Sequence, residues 1–132
     1  GAISRLLEMG VESFLISSAL LCVLSQRLVR RICPECEGTG RAGSETEDGA
    51  AGKRCRNCLG NGYRGRIGIF EMLHVNDDMR RAINERRDSS EIGGIARRHG
   101  MHTLREDGQD KVSQGITSPA EVARVCQMDL TT

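Results

Sequence analysis

Two pairs of closely spaced cysteines constrain the fold of this chain more than any other feature. Cys33 and Cys36 form the first pair, Cys55 and Cys58 form the second, and eighteen residues separate the pairs. Two residues between cysteines let a tight turn aim both sulfurs at one point, and this spacing is typical of a zinc ion held by four thiolates. We therefore expect Cys33, Cys36, Cys55 and Cys58 to be the ligands of one zinc ion.

The expected role of this zinc is structural. Four thiolates fill a tetrahedral zinc shell, so no coordination position is left for water or for a substrate. Two disulfides are the alternative interpretation. We find no signal-peptide pattern in the sequence, and paired cysteine turns in a reducing compartment bind metal more often than they form disulfides. The sequence therefore favours structural zinc.

Alternating glycines follow each cysteine pair, Gly38 and Gly40 after the first and Gly60 and Gly62 after the second. Because glycine adopts positive φ at little cost, these positions let the backbone fold around the sulfurs. The same glycines create two matches to the dinucleotide pattern G-x-G-x-x-G. Neither match follows a predicted strand and opens a helix, which a phosphate-binding turn requires, so we assign these glycines to the cysteine turns.

The composition limits the size of the apolar core and the choice of partners. Hydrophobic residues make up 38% of the chain and aromatic residues 2%, with no Trp. The expected core is small and aliphatic, and bound zinc would compensate for part of the deficit. The formal net charge is only +1, and aromatic platforms for stacking bases are scarce. We therefore expect no nucleic-acid partner.

The N-terminal residues predict two helices. Ile3, Leu6 and Leu7 recur at helical spacing, and Gly10 stands where this first helix would end. Residues 14–24 are apolar around nearly the whole helical circumference, which predicts a helix buried inside a larger protein. The uncharged run around them is shorter than the about 20 apolar residues needed to cross a bilayer, so we expect no transmembrane segment.

Two strands are predicted to flank the cysteine pairs. Within residues 26–33, Leu28, Val29 and Ile32 indicate a strand that leads into Cys33, and residues 67–75 indicate a strand that returns from Cys58. The metal would then lie at the tip of a hairpin. Residues 37–54, between the pairs, are rich in glycine and in small or charged residues, and we expect a mobile loop there.

Residues 76–132 predict a bundle of short helices. Each helix start carries an N-terminal capping residue, namely Asn76, Asp88 or Ser89, Thr103 and Ser118. The last three starts follow the capping-box form, with Glu91, Glu106 and Glu121 as the respective acidic partners. We expect the first helix to extend to Arg86 and Arg87, whose charges suit a helix C-terminus, and Gly100 and Gly115 to end later helices. The expected core of the bundle consists of Met79, Ile83, Ile92, Ile95, Leu104, Val112, Val122 and Val125.

The remaining cysteines and the histidines are not expected to be metal ligands. Cys22 and Cys126 lie in apolar stretches that are predicted to be helical, so we expect buried thiols. The histidines are expected at the surface, since four thiolates already complete a zinc shell. These are His74, His99 and His102.

Beyond single motifs, many short segments of the chain resemble the C-terminal third of the type II secretion ATPases, which are relatives of the type IV pilus assembly ATPases. The resemblance covers nearly the whole chain and combines the cysteine pairs with the following segments: residues 5–12 (RLLEMGVE), 17–30 (SSALLCVLSQRLVR), 62–71 (GYRGRIGIFE), 100–101 (GM), 104–105 (LR), 107–108 (DG), 111–112 (KV), 115–117 (GIT) and 121–122 (EV).

This resemblance implies an α+β protein built from a C-terminal fragment of a RecA-like ATPase core, a tetracysteine zinc hairpin and a small helical bundle. It assigns residues 1–32 to the tail of the core, 33–66 to the zinc-binding subdomain, 67–75 to the returning strand and 76–132 to the helical C-terminal subdomain. Only the four cysteines transfer from the family, as zinc ligands.

The resemblance also implies the setting in which the chain works. The family forms hexameric, cytoplasmic motors docked on a platform at the inner membrane, and the full-length protein binds ATP and Mg²⁺. The phosphate-binding loop, the acidic magnesium site and the histidine box of the family are absent from these 132 residues. We therefore expect this chain to have no catalytic residue and no ATPase activity by itself.

Two alternatives from other functional classes remain at this point. The unit C-x-x-C-x-G-x-G occurs twice, and it resembles the zinc repeat of Hsp40-type chaperones, which bind unfolded protein. That family carries four copies with different flanking segments. The second alternative is a free-standing zinc ribbon that binds nucleic acid.

Overall fold

A computed structural model describes residues 1–42 and 53–130 of the chain. These residues form two compact units. We call Gly1–Gln26 with Phe70–Asp107 the helical unit, and Arg27–Ile69 with Gly108–Thr131 the knuckle unit. The elements in chain order are α1 (Ala2–Glu8), α2 (Ser13–Ala19), β1 (Cys22–Ile32), β2 (Arg41–Ala42), β3 (Lys53–Arg54), β4 (Tyr63–His74), α3 (Asp77–Asn84), α4 (Ser89–Arg98), α5 (Leu104–Ser113) and α6 (Pro119–Leu130).

Strands β1 and β4 pair in a two-stranded sheet and contribute residues to both units. The N–H of Val75 donates to the carbonyl of Leu21 at 2.9 Å, and the N–H of Cys33 donates to the carbonyl of Gly62 at 2.9 Å. The end of each strand thus lies beside the start of the other, so the pair is antiparallel. The predicted hairpin is confirmed, although β1 begins four residues before the expected Gln26 and β4 begins four before residue 67.

Within the expected loop of residues 37–54, the described ends are ordered. The residues after Cys36 form a turn, and β2 pairs with β3 in antiparallel fashion, with Arg41 opposite Arg54. Residues 43–52, on which the expectation of a mobile loop mainly falls, lie outside the described part of the chain.

The helical unit is built around an apolar core to which α1 to α4 all contribute. Met79 and Ile83, both expected in the core, are fully buried. The Asn76 side-chain oxygen accepts from the N–H of Met79 at 2.9 Å, and the Asp88 carboxylate accepts from that of Glu91 at 2.8 Å. These contacts confirm the two predicted helix caps. The buried members of the core are Ile3, Ile16, Val75, Met79, Ala82, Ile83, Ile92, Ile95 and Ala96.

Helix α3 ends at Asn84, so the expected extension to Arg86 and Arg87 is wrong. Arg86 adopts a left-handed conformation with φ of 55°. Its N–H donates to the carbonyl of Ile83, and the N–H of Arg87 donates to that of Ala82, both at 3.0 Å. Reversing the backbone in this way satisfies two carbonyls that would otherwise be orphaned at the helix end.

The long buried helix expected over residues 14–24 is also wrong. Helix α2 stops at Ala19, and Leu20 is already extended with ψ of 123°. Pairing with β4 gives the following residues a strand conformation, because it supplies the backbone partners that a helix would otherwise provide. Phe14 and Leu24 remain 60% and 56% exposed, and Cys22 is an exposed strand residue instead of a buried helical one.

The capping box expected at the start of α5 is confirmed. The N–H of Glu106 donates to the Thr103 hydroxyl at 3.1 Å, and the Glu106 carboxylate accepts from the N–H of Thr103 at 3.4 Å. In the knuckle unit, Cys126 is buried in α6, as predicted. His74, His99 and His102 are exposed, also as predicted.

Helix α6 approaches α5 closely at Gly108. A Cβ atom on Gly108 would lie only 2.6 Å from Cγ1 of Val122, which is fully buried. The absence of a side chain at this position therefore permits the contact between the two helices. Across residues 1–42 and 53–130, no helix is both long and apolar enough to cross a membrane.

Candidate metal centre

The structure brings the four predicted cysteines together as one buried cluster. The Sγ atoms of Cys33 and Cys55 are 3.9 Å apart, and those of Cys36 and Cys58 are 3.6 Å apart. All four sulfurs lie within 4.8 Å of one another. The cluster thus brings together two cysteine pairs that are eighteen residues apart in the sequence.

These distances distinguish a metal-type arrangement from a disulfide. A disulfide requires sulfurs about 2.05 Å apart, whereas the sulfurs of a tetrahedral site with metal–sulfur bonds of about 2.3 Å are about 3.8 Å apart. The observed values of 3.6 and 3.9 Å bracket the second figure, and the cysteines are free thiols. Two of the sulfur separations thus match a tetrahedral four-thiolate site, and the others are within 4.8 Å, so the four side chains could hold one metal ion.

The two cysteine turns are copies of each other, offset by twenty-two residues. We call residues 33–40 the first knuckle and residues 55–62 the second. The N–H of Cys33 donates to the carbonyl of Gly62, and the N–H of Cys55 donates to that of Gly40, both at 2.9 Å. Each knuckle thus begins by bonding to the end of the other, and this reciprocal bonding holds the two pairs of sulfurs face to face.

Two glycines are required for this approach. A Cβ on Gly40 would lie 2.5 Å from the carbonyl oxygen of Gly60, and a Cβ on Gly62 would lie 2.7 Å from that of Gly38. Both glycines also have positive φ, 74° and 85°. Because a side chain would strain the backbone and collide with the opposite knuckle, these positions need glycine. This confirms that the G-x-G-x-x-G matches belong to the cysteine turns.

Hydrogen-bond donors surround the sulfurs. The N–H of Gly40 points at Sγ of Cys36 at 3.3 Å, and the N–H of Gly62 points at Sγ of Cys58 at 3.1 Å. The side-chain amide of Asn57 points at Sγ of Cys33 at 3.3 Å. Donors of this kind stabilise thiolates, which are the form in which cysteine binds metal.

The pKa values of the thiols reflect this environment. Burial opposes ionisation of Cys33, but N–H donors from Cys36 and Asn57 outweigh it and lower the pKa to about 6. At Cys55 the backbone donor from Cys58 favours the thiolate, but burial and the neighbouring sulfurs prevail and raise the pKa to about 11. Thiols that crowd together cannot all ionise easily unless a cation compensates their charge.

A second polar cluster of the knuckle unit joins β1 to α6. The side chain of Glu121 is almost fully buried, and its carboxylate accepts from the backbone N–H of Arg30 at 2.8 Å. The guanidinium groups of Arg30 and Arg124 lie 3.0 and 2.9 Å from it. Hydrogen bonds from Arg124 come first among the causes that lower the pKa of Glu121 to about 2, and the Arg30 contacts add to them against the opposing effect of burial.

The residues just before α6 form hydrogen bonds with the outer edge of β1, next to the first knuckle. The N–H of Ile32 donates to the carbonyl of Ile116 at 2.8 Å, and the Thr117 hydroxyl donates to the carbonyl of Arg30 at 2.8 Å. Arg30 also lies over the ring of Tyr63, 4.2 Å from its centroid. The C-terminal segment thus protects a strand edge that would otherwise be unpaired.

The roles of two polar residues of this unit, Glu121 and Asn57, were not predicted from the sequence. The pattern at Ser118 assigned Glu121 a local capping role, and the N–H of Glu121 does donate to the Ser118 hydroxyl at 3.2 Å. Its carboxylate, however, turns to Arg30, and no local pattern predicts that partner. The signal for Asn57 was available, because the corresponding residue of the first knuckle is Glu35, which cannot donate a hydrogen bond when ionised.

Comparison with known proteins identifies the class to which this fold and cysteine centre belong. Residues 1–124 match the family described as Type II/IV secretion system protein. The chain belongs to that family.

Individual relatives of the chain have more specific names. It is 52% identical to the type IV pilus assembly ATPase PilB of Thermus thermophilus, over 92% of this chain and 15% of that protein. It is 46% identical to type II secretion system protein E of Dickeya dadantii and 43% identical to type II secretion system ATPase E of Vibrio cholerae, in both cases over 95% of this chain and 27% of the relative. The chain thus spans about a quarter or less of the length of these relatives.

Proposed function

We propose that this chain is the C-terminal metal-binding and helical part of a motor ATPase that powers type II protein secretion or type IV pilus assembly. The family match and the names of the relatives support this assignment. The observation that carries the role of the chain itself is the convergence of four buried thiols, provided by two knuckles that bond reciprocally.

The metal in this proposal is one zinc ion held by Cys33, Cys36, Cys55 and Cys58, and its role is structural. Sulfur separations close to those of a tetrahedral four-thiolate site support it. Such a site has no open position for a water or a substrate, so the metal would hold the two knuckles together without taking part in a reaction.

The domain assignment is part of the same proposal. Residues 1–32 would complete a RecA-like ATPase core, 33–66 form the zinc-binding subdomain, 67–75 return to the core, and 76–132 form the helical subdomain. Apolar side chains on the helical unit, including Phe14, Leu24 and Phe70, are exposed. Because large apolar side chains exposed to water favour association, we expect the 132-residue chain to self-associate as its concentration rises. Strictly monomeric sedimentation at high concentration would contradict this assignment.

In the full-length protein, ATP and Mg²⁺ would be bound outside these 132 residues, and the motor would work as a hexamer on the cytoplasmic side of an inner-membrane platform. The part described here would then act mechanically, by passing motion of the ATPase core to neighbouring subunits or to the platform. Phosphate release by the isolated chain above a control without protein would contradict this division of labour.

Metal analysis tests the site itself. Protein purified without added metal should contain about one equivalent of zinc, and Cys36→Ser should lose it, because three thiolates leave the zinc shell incomplete. Cys22→Ser is the matched control, since Cys22 is exposed and lies outside the cluster. Cys33, Cys36, Cys55 and Cys58 all reacting freely with a thiol reagent in the native protein would refute the site.

A secretion or pilus-assembly assay tests the function. The double substitution Cys33→Ser and Cys36→Ser in the full-length protein should abolish it, whereas Cys22→Ser should not. Full activity of the double variant would contradict the proposal. Salt-dependent binding of DNA or RNA by the isolated chain would favour the zinc-ribbon alternative, and binding of unfolded peptides would favour the Hsp40-type alternative.

A further inference from the structure

The two knuckles are equivalent in their backbone but not in their side chains. Each supplies one glycine N–H to its own second cysteine, from Gly40 to Cys36 and from Gly62 to Cys58. Among the positions at which the two turns differ, the third is Glu35 in the first knuckle and Asn57 in the second, and Asn57 contacts a sulfur of the cluster. Because the backbones match, the side chain at this position distinguishes the two halves of the site.

Asn57 uses this position to reach across the cluster. Its side-chain amide nitrogen lies 3.3 Å from Sγ of Cys33, a residue of the opposite knuckle. A thiolate can only accept, so the amide must present its N–H₂ group to the sulfur. The backbone carbonyl of Asn57 accepts a hydrogen bond from the Arg64 guanidinium at 3.0 Å. The donor is thus attached to a fixed backbone and is partly shielded from solvent.

Glu35 cannot make the equivalent contact. An ionised carboxylate has no proton to donate, and Glu35 is exposed. Cys33 therefore receives a side-chain donor from the opposite knuckle, and symmetry offers Cys55 only a carboxylate in the corresponding place. Four thiolates and one zinc ion carry a net charge of −2, so each additional donor to a sulfur reduces electron density at the site and orients that ligand.

We propose that Asn57 is a positioning residue for the metal, which holds the Cys33 thiolate in the coordination sphere and slows loss of the ion. This inference rests on the proposed zinc site. It adds an outer-sphere residue to that site. It also makes the two halves of the site unequal, so that ligand exchange begins at the half that contains Cys55.

The experiment is zinc transfer from the folded protein to a chromogenic chelator, followed by stopped-flow absorbance. Removing an outer-sphere partner typically lowers metal affinity about 10- to 100-fold, so Asn57→Leu should release zinc at least about tenfold faster. Asn57→Asp keeps the size of the side chain and replaces the donor by a charge, so it should release zinc faster still. The control is Arg56→Leu, because Arg56 is the exposed neighbour in the same turn.

The reciprocal variant sharpens the test. Glu35→Asn places an amide at the equivalent position of the first knuckle, and the proposal predicts slower release than in the unmodified protein. Cobalt-substituted protein gives a readout that a purely structural effect would not move, since the sulfur-to-cobalt charge-transfer bands should shift in Asn57→Leu and not in Arg56→Leu.

Release rates for Asn57→Leu and Asn57→Asp within twofold of that for Arg56→Leu, with unshifted cobalt bands, would overturn the inference. That result would leave the zinc site intact. Failure of the proposed zinc site is distinguishable, because the unmodified protein itself would then contain no zinc to release.

Discussion

Different interactions stabilise the interior of the helical unit and the interior of the knuckle unit. Aliphatic side chains form the interior of the helical unit, with Met79 and Ile83 fully buried. In the knuckle unit the most enclosed groups include four thiols and the carboxylate of Glu121. Burying polar groups is costly unless each is paired, so the second unit depends on its partners being present.

This contrast shows how a chain with few aromatic residues can be stable. Where helices are amphipathic, apolar burial contributes about 25 cal/mol per Å² and needs no specific partner. In the knuckle unit, the proposed zinc and a buried ion pair would add to the burial of a few aliphatic side chains, namely Val29, Ile69 and Val122. The two units should therefore respond to different perturbations.

Removing the proposed zinc should have the largest effect on stability, and only in the knuckle unit. Structural zinc in small thiolate sites contributes about 10 to 16 kcal/mol of apparent binding free energy at neutral pH. After treatment with a strong zinc chelator, amide hydrogens of residues 27–42, 53–69 and 108–130 should exchange at rates of an unfolded chain, while the helical unit keeps its protection. Added zinc should restore the protection. Equal loss of protection in both units would refute the contrast.

The reverse experiment removes apolar packing from the helical unit. Met79 is fully buried, and truncating such a side chain to alanine costs about 2 to 5 kcal/mol. Met79→Ala should lower the free energy of unfolding by this amount without reducing the zinc content. The control is Met9→Ala, because Met9 is 73% exposed. Loss of zinc in Met79→Ala would mean that the units are not separable.

Neutralising the buried carboxylate should weaken the knuckle unit. Glu121→Gln leaves Arg30 and Arg124 without a counterion, and breaking a buried pair costs about 3 kcal/mol at the low end of the known range. The low end applies because both arginines are about half exposed. Denaturant unfolding monitored in α6 measures the effect, and Arg124→Lys, which keeps the charge, should lose less.

The stability difference between the unmodified protein and Glu121→Gln depends on pH because the pKa of Glu121 is lowered. Its pKa falls from 4.5 to about 2 in the folded protein, so the carboxylate contributes fully above about pH 4.5 and the contribution is lost as the pH falls towards 2. The stability difference between the unmodified protein and Glu121→Gln should therefore be constant from pH 7 to pH 5. A difference that declines across this window would show that burial raises the pKa instead.

The smallest expected effect comes from a helix cap. The Asn76 side chain accepts from the N–H of Met79, and replacing such a cap by alanine costs about 1 kcal/mol. Asn76→Ala should lower the stability of the helical unit by this amount in thermal unfolding, whereas Asn76→Asp should retain most of it. Identical melting of the two variants would argue against a capping role.

Features specified by short stretches of sequence were predictable. The cysteine spacing located the cluster, and Asn76, Asp88 and Thr103 cap helices as their patterns indicated. Each helix cap and its partner lie three positions apart, and the short spacing within each cysteine pair is the signal for the cluster. Local chemistry therefore sufficed.

Features decided by distant partners were not predictable in the same way. Residues 22–24 have an apolar pattern that also suits a helix, and they belong to β1, which pairs with β4. The carboxylate of Glu121 binds Arg30, which is 91 positions away in the sequence, and Asn57 reaches Cys33 across 24 positions. These choices depend on tertiary contacts that a single local pattern does not encode.

The central claim is that four thiolates enclose one zinc ion and thereby hold the knuckle unit together. X-ray absorption at the zinc edge of the purified 132-residue chain tests it most directly. The account predicts a single shell of four sulfurs at about 2.3 Å and no nitrogen or oxygen ligand. A shell with fewer than four sulfurs, or a protein without zinc whose cysteines are joined as disulfides, would contradict it.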